Sequence, residues 1–229
     1  MERYSVISQK FPREFILLQG TGCRWGKCTF CDYYTDTSSD PYSVNREVLN
    51  KVTGKFGVLD VINSGSCFEL DEQTIGHLQK IVKDCGIHTL WFEVHWMYRN
   101  RLESFAGLFP GVKVKFRCGV ETFDTQLRTK WNKGIPADVD ASQIARYFQG
   151  VCLLCCTQGE DFAHIEADIE TACTHFEYMS VNVVCHNSSA EHRDDNMVAR
   201  FMSEIYPKYK DHFKMEILVD NTDLGVGIN

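Results

Sequence analysis

Cys23, Cys28 and Cys31 share one short stretch, Gly22-Cys23-Arg24-Trp25-Gly26-Lys27-Cys28-Thr29-Phe30-Cys31, with the spacing Cys-x4-Cys-x2-Cys. Three thiolates closing on one point make a metal site, and soft sulfur ligands select zinc or an iron–sulfur cluster. A structural zinc would draw a fourth Cys or His from nearby, but the next residues are Asp32, Tyr33 and Tyr34, and His77 is remote in sequence. Three ligands and one open position suit a [4Fe–4S] cluster that leaves one iron for another group. A zinc knuckle, or three incidental buried cysteines, is the plainer alternative.

The remaining thiols and imidazoles carry less. Cys152-x2-Cys155 has the spacing of a redox pair, yet residues three apart on a strand point to opposite faces. Cys152, Cys155 and Cys156 are therefore expected in the core. Cys67 and Cys118 fall beside loops expected to face a ligand. Cys185-His186 has no third partner in ligand spacing and reads as packing and a polar loop. His77, His164 and His175 fall on helices or their ends.

These residues need elements to place them. After a lead-in of residues 1–14, Phe15–Leu18 reads as a buried strand that delivers the cysteine loop. Further strands are expected at 57–62, 89–93, 112–116, 151–156, 177–184 and 215–219. Helices fall between them: one opened by Ser43 and ended by Gly54, one capped by Asp71, then 98–108, 140–148, 161–174 and 194–206. Strand and helix alternate, which predicts a parallel sheet with helical crossovers in a single domain of residues 1–229. Loops at the carboxyl ends of such strands hold the chemistry. Tyr34, His95 and Trp96 are expected at that mouth. The polar run Asp220-Asn221-Thr222-Asp223 after the last strand either frays or closes it.

Composition narrows the partners. A hydrophobic content of 44% excludes a mainly disordered chain. The net charge of −7, from 31 acidic against 24 basic residues, disfavours a polynucleotide, whose binding rests on Lys and Arg at phosphates. The start, Met1-Glu2-Arg3-Tyr4, lacks the apolar core of a signal peptide. An odd cysteine count with no export signal points to the reducing cytoplasm.

The triplet ending Cys-x-aromatic-Cys, together with motifs falling where strands end, resembles the radical S-adenosylmethionine (SAM) superfamily. The four residues between Cys23 and Cys28 depart from the more usual three. The resemblance implies an α/β fold, a partial (β/α)6 TIM-like barrel with a short extra C-terminal strand. It also implies a [4Fe–4S] cluster whose open iron chelates SAM, and an external electron donor whose reduction of the cluster yields a 5′-deoxyadenosyl radical. Asn63-Ser64-Gly65-Ser66 stands where the superfamily places its Gly-rich motif, so Ser64, Gly65 and Ser66 are expected at the SAM amino group. There Gly permits close approach and Ser hydroxyls and carbonyls accept from an ammonium. Gly119-Val120-Glu121-Thr122, with Asp124, Arg128 and Asn132-Lys133-Gly134, resembles the fourth-strand motif of the Elongator-like branch. By that likeness Glu121 holds the SAM ribose or its methionine end, and Arg128 meets its carboxylate. Glu93 matches an acidic residue after the third strand, with His95 where an Arg often follows, and Phe30 lies near the adenine. Solvated loop carboxylates, a helix-surface Arg128 and a packing Phe30 are the bland alternatives.

The sequence is expected to hold the barrel without an added RNA-holding domain, and no second cysteine cluster of auxiliary-cluster spacing appears in it. The compact form, the Asn-Ser-Gly-Ser run and the Asp-Asn-Thr-Asp-Leu-Gly-Val-Gly ending resemble superfamily members that salvage queuosine precursors. That implies a lyase acting on a small free 7-deazaguanine base by breaking a carbon–nitrogen bond. A carboxylate would then read the guanine-like edge: Asp36, Asp220 or Asp223. Tyr34 or Trp96 would stack on the ring, and His95 would exchange a proton with the leaving amine. A radical SAM enzyme on another small molecule or on tRNA, and a non-catalytic metal-binding module, stay open.

Overall fold

The computed structural model describes residues 1–227, so the expected single domain of residues 1–229 ends two residues outside the described chain. The chain packs as two compact units, one of residues 1–26, 33–116 and 221 onward, the other of residues 27–32 and 117–220.

The first unit holds β1 (Tyr4–Ile7), β2 (Arg13–Leu18), β3 (Val58–Asn63) and β4 (Thr89–Glu93), adjacent in that order. β2, β3 and β4 are parallel, and β1 is antiparallel to β2. β2 reads Arg-Glu-Phe-Ile-Leu-Leu and is buried along both faces, as a parallel strand covered on both sides requires. The crossovers are α1 (Pro41–Leu49) and α2 (Glu72–Asp84), with the shorter α3 (Leu102–Ala106) beyond β4. Asp40 caps α1 and Asp71 caps α2, the latter accepting the Thr74 N–H at 2.8 Å. Phe92, Phe105, Phe109 and Phe116 pack as tilted and edge-on rings beneath them.

The second unit takes over within β5 (Lys113–Glu121), from Arg117 onward, and continues with β6 (Gly150–Cys155), β7 (Tyr178–Val183) and β8 (Met215–Leu218), all parallel. Its helices are α4 (Thr125–Lys130), α5 (Ala141–Ala145), α6 (Phe162–His175), α7 (Asp195–Glu204) and α8 (Tyr206–Tyr209). Cys152, Cys155 and Cys156 are buried in this sheet or at its end, as the strand periodicity predicts.

Several boundaries differ from the sequence expectation. β1 lies inside the supposed lead-in, being short, only partly buried and on the edge of its sheet. Asp40, not Ser43, caps α1, and the helix ends at Leu49, short of Gly54. The stretch expected to be helical from 98 begins as a 3-10 turn over Trp96–Arg101, capped by His95. β5 runs on through Gly119-Val120-Glu121, which were expected just beyond it, and its register against β6 shifts between Gly119 and Glu121. Such a bulge re-aims one side chain, and Glu121 leaves it with φ +69°.

Glu14 ties the amino end of the first sheet. It is fully buried, and its carboxylate accepts from the Tyr4 hydroxyl (2.8 Å), the Thr53 N–H (2.7 Å) and the Gly54 N–H (2.7 Å). Burial pushes its pKa up, but the hydrogen bonds from Thr53, Tyr4 and Gly54 together outweigh it, so the carboxyl titrates below its ordinary 4.5. A depressed carboxyl contributes stability that is fully present above its unfolded value and disappears as pH falls through the folded one. Glu14→Gln is expected to lose about 2–4 kcal/mol at pH 7 in urea unfolding, because an amide presents N–H to donors that need an acceptor. The gap between wild type and variant should narrow as the pH falls below 4.5; a gap that stays constant with pH contradicts the assignment.

Candidate active site

The cysteine loop leaves β2 at Gln19 and turns at two glycines with positive φ, Gly22 (+111°) and Gly26 (+54°). The Gly26 N–H points at the Cys23 sulfur at 3.3 Å. Cys23, Cys28 and Cys31 stand in no disulfide, each partly exposed. The boundary between the two units falls inside this loop, with Cys23 in the first and Cys28 and Cys31 in the second. Among the described residues no three His, Cys, Asp or Glu side chains are pre-gathered as a metal-ligand set. The donor chemistry is nonetheless that of an iron–sulfur site: three soft thiols within nine residues and none committed to a disulfide.

In the second unit the loop is anchored at its far side. The Thr29 N–H donates to the Trp131 carbonyl at 3.1 Å, and the Asn132 amide donates to the Lys27 carbonyl at 3.1 Å. Phe30 packs edge-on against Trp131, ring centres 5.7 Å apart. Asp32 accepts the Ser188 N–H at 2.9 Å, and Asn187 donates to the Phe30 carbonyl at 3.0 Å.

Beside Phe30 lies a buried ion pair the sequence did not single out. The Lys133 ammonium donates to Glu121 at 2.8 Å and sits 5.4 Å from the Phe30 ring centre. Burial alone would lower the Lys133 pKa, but the charges of Glu121 and then Cys28 raise it far above normal, so it stays a cation. Gly119 is required here: a Cβ would stand 2.7 Å from the Glu121 oxygen and 2.9 Å from the Lys133 nitrogen. Arg128 corrects the expectation of a SAM carboxylate partner. It is buried at 1% exposure on α4, and its guanidinium donates to the Pro136 (3.1 Å) and Val139 (2.9 Å) carbonyls, bracing the loop that follows. Asp168, pushed up to about 6 by burial, accepts the Phe123 N–H at 2.8 Å and shapes the turn after Glu121.

In the first unit the Ser64-Gly65-Ser66 loop leaves β3. Ser64 accepts the Gly20 N–H at 3.1 Å, and Ser66 accepts the His95 N–H at 2.9 Å, so both hydroxyls cross-link neighbouring loops. A Cβ on Gly65 would collide with the Glu69 carboxylate and come within 3.2 Å of the Cys23 Cα. Only glycine lets the cysteine loop lie this close. Glu69, in the short helix Cys67–Glu69, was missed because a lone Glu after a turn carries no spacing signal. Its carboxylate accepts from the Ser66 N–H, the Arg24 N–H (3.0 Å) and the Tyr98 hydroxyl (2.9 Å). Burial, then the bond to Glu69, pushes Tyr98 up to about 12. A cavity of about 550 Å³ opens here, lined by Cys23, Arg24, Phe68, Glu69, Tyr98 and Arg101.

His95 follows β4. Its ring stacks on Trp25 at 5.1 Å, and its Nδ1 accepts the Met97 N–H at 3.2 Å, which puts the proton of the neutral ring on Nε2. Glu93 ends β4, half-buried. Trp96, expected to stack on a substrate, is buried at 4% exposure with Arg99 lying 4.5 Å over its ring. Trp25, seven residues past the strand that ends at Leu18, takes the half-buried aromatic place beside His95 instead. Asp36 is a second correction. Its carboxylate is held by Arg3 (2.9 Å) and Gln19 (2.8 Å), and although burial raises its pKa most, those bonds leave it below normal. It pins β1 to the loop after β2 and is already engaged. Tyr34, Asp220 and Asp223 are exposed. The polar ending does not fray: Asn221 accepts from the Tyr33 hydroxyl at 3.0 Å, Ser5 donates to the Leu224 carbonyl, and Gly227 bridges Glu2.

No family model and no curated protein matches the chain. Among solved structures it is similar to queuine lyase from Clostridium spiroforme bound to SAM and queuine, at a TM-score of 0.94 and 38% identity over 100% of each chain. The fold class expected from the sequence is thereby borne out: α/β, a partial TIM-like barrel of the radical SAM type.

The buried pair of Glu121 and Lys133 gives a test of the second unit. Lys133→Met leaves a carboxylate buried without its cation and is expected to cost about 3–5 kcal/mol in denaturant unfolding. Adding Glu121→Gln should recover part of that loss, so the double variant is more stable than the sum of the two single ones. Strict additivity would show that the two groups do not interact.

Proposed function

The chain belongs to the queuine lyase family of radical SAM enzymes, and on that premise we propose that it cleaves free queuine to 7-aminomethyl-7-deazaguanine and a cyclopentenyl-derived product. The observation that carries this is the likeness to a SAM- and queuine-bound lyase along the full length of both chains. The bound group it needs is a [4Fe–4S] cluster with SAM, which on reduction by an external electron donor supplies the hydrogen-abstracting 5′-deoxyadenosyl radical.

Cys23, Cys28 and Cys31 would hold that cluster. Ser64, Gly65 and Ser66 offer carbonyls and hydroxyls to the SAM ammonium, close to the loop of Cys23 because Gly65 lacks a side chain. Glu121 accepts from ribose hydroxyls or the amino group, while Lys133, the cation beside it, faces the carboxylate end in the part first assigned to Arg128. Phe30 supplies an apolar face for the adenine, and Glu93 a second acceptor. The breaking carbon–nitrogen bond leaves an amine that needs a proton, and His95 would supply it as the imidazolium, the charged ring giving up one proton and returning to the neutral form that the Met97 N–H holds at Nδ1. Exposed Tyr34 stacks on the deazaguanine, and Asp220 or Asp223 accepts from its N1–H and exocyclic amine. A substrate lacking those donors would leave the carboxylate unmatched.

No helix among the described residues is long and apolar enough to cross a membrane. Eleven cysteines with no disulfide among them, and an oxygen-sensitive cluster, suit a reducing cytoplasm. Anaerobic incubation of the reconstituted protein with dithionite, SAM and queuine is expected to give 5′-deoxyadenosine and 7-aminomethyl-7-deazaguanine, read by mass spectrometry. 5′-Deoxyadenosine without that base overturns the substrate, and neither product from a protein with its cluster intact overturns the enzyme. His95→Ala should lower kcat about 10²-fold or more with little change in the KM for SAM; an unchanged kcat removes His95 from the proton path.

A further inference from the structure

We propose that Glu69 is the positioning residue that fixes Cys23 against the Ser64–Gly65–Ser66 loop, and so sets where the cluster stands relative to SAM. The second half of that statement rests on the function proposed above; the first stands on geometry alone. Glu69 reaches both sides of Cys23. Its backbone carbonyl accepts the Thr21 N–H (2.8 Å) and the Thr21 hydroxyl (3.0 Å), two residues before the cysteine. Its carboxylate accepts the Arg24 N–H at 3.0 Å, one residue after it. The other carboxylate oxygen takes the Ser66 N–H, and Ser66 caps the turn that presents Glu69.

The carboxylate is thus shared between the loop that carries a cluster ligand and the loop assigned to SAM. The Tyr98 hydroxyl at 2.9 Å holds it from a third side, and Tyr98 is itself fixed by stacking on Phe68 at 4.6 Å. Glu69 is only 7% exposed, and every bond named here is donated to it. An amide in its place would turn an N–H toward one of those donors. That geometry makes the site intolerant of Gln, although Gln is the same size, and its bonds to Thr21 and Arg24 flank Cys23. The neighbours of Cys28 and Cys31 are bonded within the second unit, Lys27 and Thr29 to Asn132 and Trp131 and Asp32 to Ser188.

The test compares wild type with Glu69→Gln in two states. In the cluster-free full-length protein, iodoacetamide labelling followed by peptide mass spectrometry should show Cys23 reacting about tenfold faster in the variant, the scale on which groups that orient a metal ligand act. Cys28 and Cys31 should stay within about twofold. In the reconstituted protein, SAM should bind about tenfold more weakly by calorimetry, with the loss of kcat/KM appearing in the KM for SAM. Equal acceleration at all three cysteines would reduce Glu69 to a general fold support and overturn the proposal, as would no acceleration at Cys23. Should Glu69→Gln fail to fold, Tyr98→Phe removes one donor only and should accelerate Cys23 two- to threefold, an unchanged rate again overturning it. The labelling result is independent of substrate: selective loosening of Cys23 in a protein that leaves queuine intact would sink the lyase and keep the positioning role.

Discussion

A buried carboxylate shared among backbone N–H groups is the interaction on which this structure depends. Loops that leave the ends of parallel strands carry donors that no ladder satisfies, and an unsatisfied buried N–H costs about 1–3 kcal/mol. Glu69 meets that need where the Cys23 loop passes the Ser64–Gly65–Ser66 loop. Glu14 does the same at the other end of β2, Glu160 at Thr157 after β6, and Asp168 at Phe123 after β5. Glu69, Glu14 and Asp168 collect donors from a separate piece of chain, while Glu160 closes its own turn. Part of the acidic excess is therefore internal scaffolding and does not describe the surface.

The same device explains how a metal-ligand loop is held without disulfides. Backbone bonds from Thr21 and Arg24 to Glu69 fix one end of the loop, and at the other Thr29 donates to Trp131 while the Lys27 carbonyl accepts from the Asn132 amide. These anchors lie on either side of the ligands and use the loop's main-chain atoms, so no disulfide is needed to hold it. A loop built this way keeps its course while its sulfurs remain available to a cluster.

The elements were legible in the sequence because each strand is an apolar run and each long helix has its Asp cap, as with Asp71 for α2 and Asp194 for α7. The cysteine spacing carried the chemistry. β1 was not legible: four residues on a sheet edge bury too little to show a pattern, and Arg3 to Asp36 holds them through a partner far along the chain. The different parts of Arg128 and Lys133 were hidden for a related reason. Both sit in one short motif, and sequence gives no sign of which cation turns inward to Glu121 and which turns to loop carbonyls. Trp96 and Trp25 differ likewise: the first continues from a strand and is drawn into the core, the second lies in a loop and stays beside His95.

Glu121 shows what the second unit maintains against its own stability. A residue that carries a Cβ at φ +69° costs on the order of 1–2 kcal/mol, and burying two charges costs more before their attraction returns it. Hydrophobic residues of the same size would give a more stable pair of positions. The bulge between Gly119 and Glu121, the absence of a side chain at 119 and the long reach of Lys133 all serve to keep this one carboxylate paired with the ammonium that sits over Phe30. Strain that several separate features uphold belongs to a binding site more than to a core, and here it holds a carboxylate and an ammonium a fixed distance apart at the end of a strand.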